Sequence, residues 1–183
     1  MNMTTPINFK PQAIFIDIDG VMTSGHKSYD QNGMPISKLF YDKDFTALKE
    51  FAASGIAPFF ITGDPRMNQL IIKNRGYDIY DARYEKKDLI VNQITSEFNL
   101  DLAKCLAIGD DIFDIPMLDI VGLPICPANS HFKVIDTIER RRGIVLKTNG
   151  GSGCLVEVME MLHSANISYD LEKLYGLDAK EKF

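Results

Sequence analysis

Asp17-Ile18-Asp19, Thr62-Gly63-Asp64 and Gly109-Asp110-Asp111 each follow a short apolar run, and Lys87 opens a helix-period segment ahead of the third. Asp17 and Asp19 are two positions apart, so at a strand's end their side chains leave on the same side. Adjacent carboxylates repel, and Asp110 and Asp111 bring two more. Such a cluster is tolerable only with a cation, and an all-oxygen donor set suits Mg2+. Any one of these stretches alone is better explained as a turn, because Asp and Gly are common there. All of them at successive strand ends point instead to chemistry.

The elements that must position them are legible in the apolar pattern. Ala13–Ile16, Ala57–Ile61, Cys105–Ile108 and Leu123–Cys126 are too short for helices and read as strands buried on both faces. Pro58 and Pro124 argue against two of these unless they sit where no ladder bond is needed. Between the strands, Phe45, Leu48 and Phe51 recur at helical spacing, as do Met67 and Leu70, then Ile90, Ile94 and Phe98. Leu155, Val158, Met159 and Leu162 give the clearest helix. Alternating strands and helices predict an α/β fold, a Rossmann-like parallel sheet flanked by helices. In such a sheet ligands bind at the carboxyl ends of the strands, so the acidic stretches, Thr62 and Lys87 converge on one edge. Residues 20–41 depart from the pattern: Lys27–Tyr29 and Ile36–Phe40 flank Asp30-Gln31-Asn32-Gly33, which predicts a β-hairpin flap. The tail, residues 164–183, reads either as a short amphipathic helix docked on something or as a frayed end.

Composition narrows the classes further. The chain has 183 residues, 45% hydrophobic and 25% charged, which suits one domain over 1–183. A net charge of −5 argues against nucleic acid or a membrane surface as partner. No apolar run approaches a membrane span, and the first is broken at once by Asp17, unlike a signal peptide. Cys105, Cys126 and Cys154 are widely spaced and read as buried free thiols, consistent with a reducing cytoplasm. His26, His131 and His163 lack partners at ligand spacing, and Arg140–Arg142 reads as a solvated run. Gly150-Gly151-Ser152-Gly153 lacks the Lys-Ser/Thr of a P-loop and reads as a close-packed turn.

Asp17-Ile18-Asp19-Gly20-Val21, Thr62, Lys87 and Gly109-Asp110-Asp111-Ile112-Phe113-Asp114 resemble the four motifs of the haloacid dehalogenase superfamily. Over residues 12–163, including the flap and Gly150–Gly153, the chain is most similar to the 3-deoxy-D-manno-octulosonate 8-phosphate phosphatase subfamily, which includes phosphatases of sialic-acid-type sugar 9-phosphates. The resemblance implies that Asp17 attacks phosphorus and that Asp19 is the acid and base. It implies Mg2+ held by Asp17, the backbone carbonyl of Asp19 and Asp110, with phosphate bound by Thr62, the backbone at Gly63 and Lys87. Asp111 and Asp114 would support the metal's waters and Lys87. Periodicity does not separate Lys86 from Lys87; the family pattern selects Lys87.

The chain also departs from the subfamily. Phe40-Tyr41-Asp42-Lys43-Asp44-Phe45 replaces Phe-Asn-Val-Arg-Asp-Gly, and Asp64 stands where an arginine is usual, with Arg66 two residues on. Lys43, Asp44 and Arg66 are the expected contacts to the substrate, although lysine lacks the guanidinium fork. A phosphatase of another small metabolite, a non-catalytic regulatory relative and a receiver-type signalling domain are the competing readings. The complete motif set weighs against the second, and Asp-x-Asp on the first strand against the third. The segments between Asp17, Thr62 and Lys87 leave no room for a cap domain. The resemblance therefore implies a homotetramer in which hairpins pack together, with the tail offering further contacts.

Overall fold

The computed structural model describes Ile7 and residues 9–179; the other residues of the single domain expected over 1–183, at both ends and at position 8, lie outside the described residues. The strands are β1 (Ala13–Ile16), β2 (Ser28–Tyr29), β3 (Pro35–Ser37), β4 (Ala57–Thr62), β5 (Ile79–Asp81), β6 (Cys105–Ile108), β7 (Leu123–Cys126) and β8 (Ile144–Val145). The α-helices are α1 (Asp42–Ala53), α2 (Pro65–Asn74), α3 (Lys87–Glu97), α4 (Ile115–Ile120), α5 (Phe132–Arg140), α6 (Cys154–Ser164) and α7 (Leu171–Asp178). Six strands form one sheet in the order β5-β4-β1-β6-β7-β8, every pair parallel.

β1 is central and buried along its length, and its alternating side chains feed two cores. Ile14 and Ile16 pack with Phe45, Leu48 and Phe51 of α1 and Leu155, Val158 and Leu162 of α6. Ala13 and Phe15 meet Ile90 and Ile94 of α3, Met117 of α4 and Val134 of α5 on the opposite face. Both faces covered by helices is the reason the strands read as continuous apolar runs.

The two strand prolines cost no ladder bond. Ala57 N–H donates to Gln12 O at 3.0 Å, so the alternation aims the Pro58 nitrogen at β5, which pairs with β4 only from Phe60 onward. Likewise Leu146 N–H donates to Cys126 O at 2.8 Å, placing the Pro124 nitrogen on the β8 side ahead of the first pair, Ile125 with Ile144.

The hairpin forms as expected but with short strands, β2 against β3, extended by a bridge between Thr23 and Phe40. Its turn is closed by Asp30, whose carboxylate accepts from Asn32 N–H at 2.8 Å and Met34 N–H at 2.9 Å, with Gly33 at φ +76°. The tail forms α7 within the described residues and packs on α1, where Lys49 bonds Asp178. The helix docks on its own chain, as one of the two readings of the tail expects, and leaves Leu171 and Tyr175 exposed. The Arg140–Arg142 run ends α5: Arg140 pairs with Asp119 at 3.1 Å, and Arg141 donates to Val121 O at 2.6 Å. Among the described residues no helix is long and apolar enough to cross a membrane.

Candidate active site

The carboxyl ends of β1, β4 and β6 bring Asp17, Thr62 and Asp110 to one edge of the sheet. Asp17 N–H donates to Ile108 O at 3.0 Å, which extends the β1 backbone by one residue over β6. The loop that follows is pinned by Ile18, Val21 and Met22, all fully buried, and Ile18 O accepts from the N–H groups of Val21, Met22 and Thr23. Gly20, at φ +90°, has no room for a side chain: a Cβ there would lie 2.1 Å from Asp110 Oδ2. Gly150 supports this loop from behind, since a Cβ on it would lie 1.8 Å from Gly20 O. The Gly150–Gly153 stretch is therefore a close-packed support into α6.

Lys87 begins α3 and reaches into the cluster, whereas Lys86 is exposed. Its Nζ lies 2.5 Å from Asp17 Oδ1 and 2.5 Å from Asp114 Oδ1, and donates to Ile61 O at 3.0 Å. Asp114 Oδ2 accepts in turn from the N–H groups of Asp110 (2.9 Å) and Asp111 (3.0 Å), so one carboxylate orients both the lysine and the Asp110 loop. Asp111 accepts from Ile112 N–H and forms a capping box with Asp114. Burial lifts the Asp17 carboxyl well above the ordinary carboxylate range; Lys87 opposes this, while Asp114 and Asp110 add to it. Burial, with Asp114 and Asp111 close by, pushes Asp110 up to about 7. For Lys87 burial alone would lower the pKa, but the charges of Asp17 and Asp114 overcome it and hold the ammonium above the usual lysine value.

Asp17, Asp110 and Asp114 each offer a carboxylate oxygen within 4.8 Å of one another, and Asp110 Oδ1 is buried with no hydrogen-bond partner. Three crowded carboxylates, two of them sharing one ammonium and the third with an orphaned oxygen, fit a hard divalent cation. The Asp19 side chain lies apart from this trio. Its carboxylate accepts from Lys38 Nζ at 2.8 Å, Asn68 Nδ2 at 3.3 Å and Thr23 Oγ1 at 3.4 Å.

Thr62 is buried, and its Oγ1 accepts from Asp64 N–H at 3.1 Å and Asn68 Nδ2 at 3.2 Å, which leaves its own hydrogen to donate. Gly63 meets nothing within 4 Å of where a Cβ would stand, so its backbone borders open space. Asp64, in place of the family's arginine, pairs with Lys27 at 2.9 Å and approaches Lys38 at 3.5 Å. Burial alone would raise Asp64, but these two lysines outweigh it and hold the carboxyl below its ordinary range.

Of the three residues expected to contact substrate, Asp44 is buried and Lys43 and Arg66 are exposed. Asp44 is fully buried, and its Oδ1 accepts from Leu155 N–H at 2.9 Å and Val156 N–H at 3.3 Å, satisfying the first turn of α6. Its Oδ2 is buried without a hydrogen-bond partner, so in this structure the carboxyl supports α6 and is closed to solvent. Lys43 is exposed on α1, and Arg66 is 69% exposed with Asp64 3.8 Å away. Lys27, Lys38 and Asn68 were missed. The signal available was positional, since Lys27 and Lys38 flank the hairpin at its base, where a flap must face the site.

With its acidic trio, lysine and threonine on one edge of a parallel α/β sheet, the chain is a hydrolase of phosphoric monoesters. A family model of haloacid dehalogenase-like hydrolases matches residues 26–149, more than half of the chain, and the chain belongs to that family. The 3-deoxy-D-manno-octulosonate 8-phosphate phosphatase of Haemophilus influenzae is 26% identical over 153 residues, covering 83% of this chain and 82% of that one. Its Escherichia coli K12 counterpart is 25% identical over 166 residues, covering 87% and 83%. Among solved structures, the same phosphatase from Moraxella catarrhalis, crystallised with magnesium ion, phosphate ion and KDO, superposes with TM-score 0.70 at 26% identity, covering 85% of this chain and 88% of that one. A hypothetical protein from Xanthomonas campestris gives 0.77 at 26% identity, covering 98% of both chains. Phosphatases of this family use a divalent metal, in keeping with the acidic trio.

Proposed function

We propose that the chain is a Mg2+-dependent, cytoplasmic phosphomonoesterase of an acidic sugar phosphate, 3-deoxy-D-manno-octulosonate 8-phosphate or a nonulosonate 9-phosphate. The observation that carries the reaction is Lys87 held between Asp17 and Asp114 beside the orphaned Asp110 oxygen. The names and coverage of the curated relatives support the substrate class.

In this reading an Asp17 oxygen bonds to phosphorus while the bond from phosphorus to the substrate's alcohol oxygen breaks. Asp19 gives a proton to the departing alkoxide, then takes one from the water that cleaves the aspartyl phosphate, which frees phosphate and restores Asp17. Lys87 and the Thr62 hydroxyl, with the backbone at Gly63, stabilise the phosphoryl oxygens. Asp17, Asp110 and the Asp19 carbonyl would hold Mg2+, with Asp114 and Asp111 supporting; when bound it offsets the repulsion between the nucleophile and the phosphate.

A second reading, a phosphatase of a different small metabolite, is favoured by one observation: Asp64 faces Lys27 and Lys38 where the subfamily presents an arginine. A panel of sugar phosphates, octulosonate 8-phosphate and nonulosonate 9-phosphates beside neutral hexose phosphates, separates the two. The first reading expects the highest kcat/KM among the ulosonates. Preference for a neutral sugar phosphate would replace it with the second.

A further inference from the structure

Among the charged groups around the site that the reaction scheme assigns no task, Lys27, Lys38 and Asp64, Lys38 is the one in closest contact with Asp19. Lys38 leaves the end of the flap and buries its ammonium, with a side chain only 2% exposed, against Asp19 at 2.8 Å and Asn68 Oδ1 at 3.0 Å. Burying an ammonium costs several kcal/mol unless its partners repay it. A two-stranded hairpin has no core of its own to require that cost. The flap is already tied to the β4–α2 loop by Lys27 and Asp64 at 2.9 Å. Lys38 also lies 3.5 Å from Asp64, and what it adds to that tie is a shorter grip on Asp19. Asn68 holds the same carboxylate from α2 at 3.3 Å and also reaches Thr62 at 3.2 Å, so Asp19 is clamped between the flap and the phosphate loop. The site thus divides in two: the sheet edge with Lys87 fixes the nucleophile, and the flap fixes the acid and base.

We infer that Lys38 is the positioning residue of Asp19, holding its carboxyl group at the leaving oxygen and, after departure of the alcohol, at the attacking water. This rests on the assignment of Asp19 as acid and base. Lys38 acts through Asp19, so its loss falls on the steps in which Asp19 moves a proton.

The experiment compares kcat/KM, which reports only the steps through loss of the alcohol, for two esters with full-length protein and Mg2+. The p-nitrophenolate of p-nitrophenyl phosphate leaves without needing a proton, whereas the alkoxide of glycerol 2-phosphate needs one. Lys38→Met is expected to lower kcat/KM about tenfold or more on glycerol 2-phosphate, a part of what general acid catalysis supplies, and to leave p-nitrophenyl phosphate nearly unchanged. Equal losses on both esters, or none, overturn the inference, because a loosened flap or a weakened phosphate grip does not sense the leaving group. Lys38→Arg keeps the charge but displaces the donor. It is expected to show the same split in smaller measure, and keeps the test open if the methionine variant does not fold. Asp19→Asn is measured beside them: the same split supports the assignment on which the inference rests, and equal losses there overturn that assignment, a failure distinct from that of Lys38.

Discussion

Lys87 Nζ stands 2.5 Å from Asp17 Oδ1 in a part of the site nearly closed to solvent, and Asp114 lies as near on its other side. The ammonium therefore has a second counter-ion if Asp17 loses its charge. Asp17→Asn is expected to fold, with a thermal midpoint in chelator at or above that of the wild type, because it removes one of three crowded carboxylates. Turnover should fall by at least about a thousandfold, since the amide does not form the acyl phosphate. Calorimetry and a phosphate-release assay read the two effects, and a variant keeping most of its turnover would sink the covalent route.

The orphaned Asp110 Oδ1 leads to the metal prediction. Excess chelator should abolish turnover and Mg2+ restore it, with Ca2+ a poor substitute because it takes more ligands in looser geometry. Gly20→Ala should weaken that response, since its Cβ would fall 2.1 Å from Asp110 Oδ2 and displace the carboxylate. The measurement is the Mg2+ concentration giving half-maximal rate. A value in the alanine variant equal to that of the wild type would remove Asp110 from the metal site.

Asp44 yields a stability prediction with a definite sign. Burial raises its carboxyl from 3.8 to about 6, although the α6 N–H groups pull the other way. A carboxyl with a raised folded pKa costs stability above that pKa, and the cost fades as pH falls through about 6 towards 4. Asp44→Asn keeps an acceptor for the α6 N–H groups and never carries the charge. Measured by urea unfolding, the stability difference between variant and wild type should move in the wild type's favour by about 2 kcal/mol between pH 7.5 and 4.5. KM should not change, in contrast to a residue that touches substrate. A pH-independent difference would show that the charge is not buried as described.

The sequence displayed the parallel sheet through β1, β4, β6 and β7, whose buried runs carry one strong signal each. The short β8 and α4 were not legible, because two and six residues hold too little periodicity to register. α5 carries a weak signal, because Val134 and Ile138 lie one turn apart but little else marks its apolar stripe. In the site, the groups at strand ends were readable because backbone topology alone brings them together. Lys38, Asn68 and the capping role of Asp44 depend on how the flap and α6 fold back onto that edge, and no local spacing encodes it. Asp44 shows the limit most clearly: it sits inside a stretch matching a substrate-binding pattern, yet one oxygen of its buried carboxylate bonds a helix more than a hundred residues downstream.

The flap also predicts how the chain assembles. Tyr29 (58%), Met34 (55%), Ile36 (61%) and Leu39 (81%) are exposed on a hairpin that lacks a core of its own. Lys27 and Lys38 tether its base, but apolar side chains left in water on so small an element mark an interaction surface. Among the described residues no cap domain covers the site. Asp17 and Lys87 are themselves buried, but the side bordered by Gly63 and Asp19, where a substrate would enter, is open to water, which weakens the electrostatic groups acting there. Packing of flaps from several copies answers both needs, covering the apolar residues and walling the pocket. Several copies are what the flap calls for, and the resemblance to the octulosonate phosphatase subfamily sets the number we expect at four, a homotetramer seen by light scattering as four times the chain mass. Leu39→Lys and Ile36→Asp should break it into smaller species and lower kcat/KM on the natural sugar phosphate more than on p-nitrophenyl phosphate, whose small body needs no wall. A wild-type monomer with full activity at assay concentration would show that the hairpin closes the site by itself.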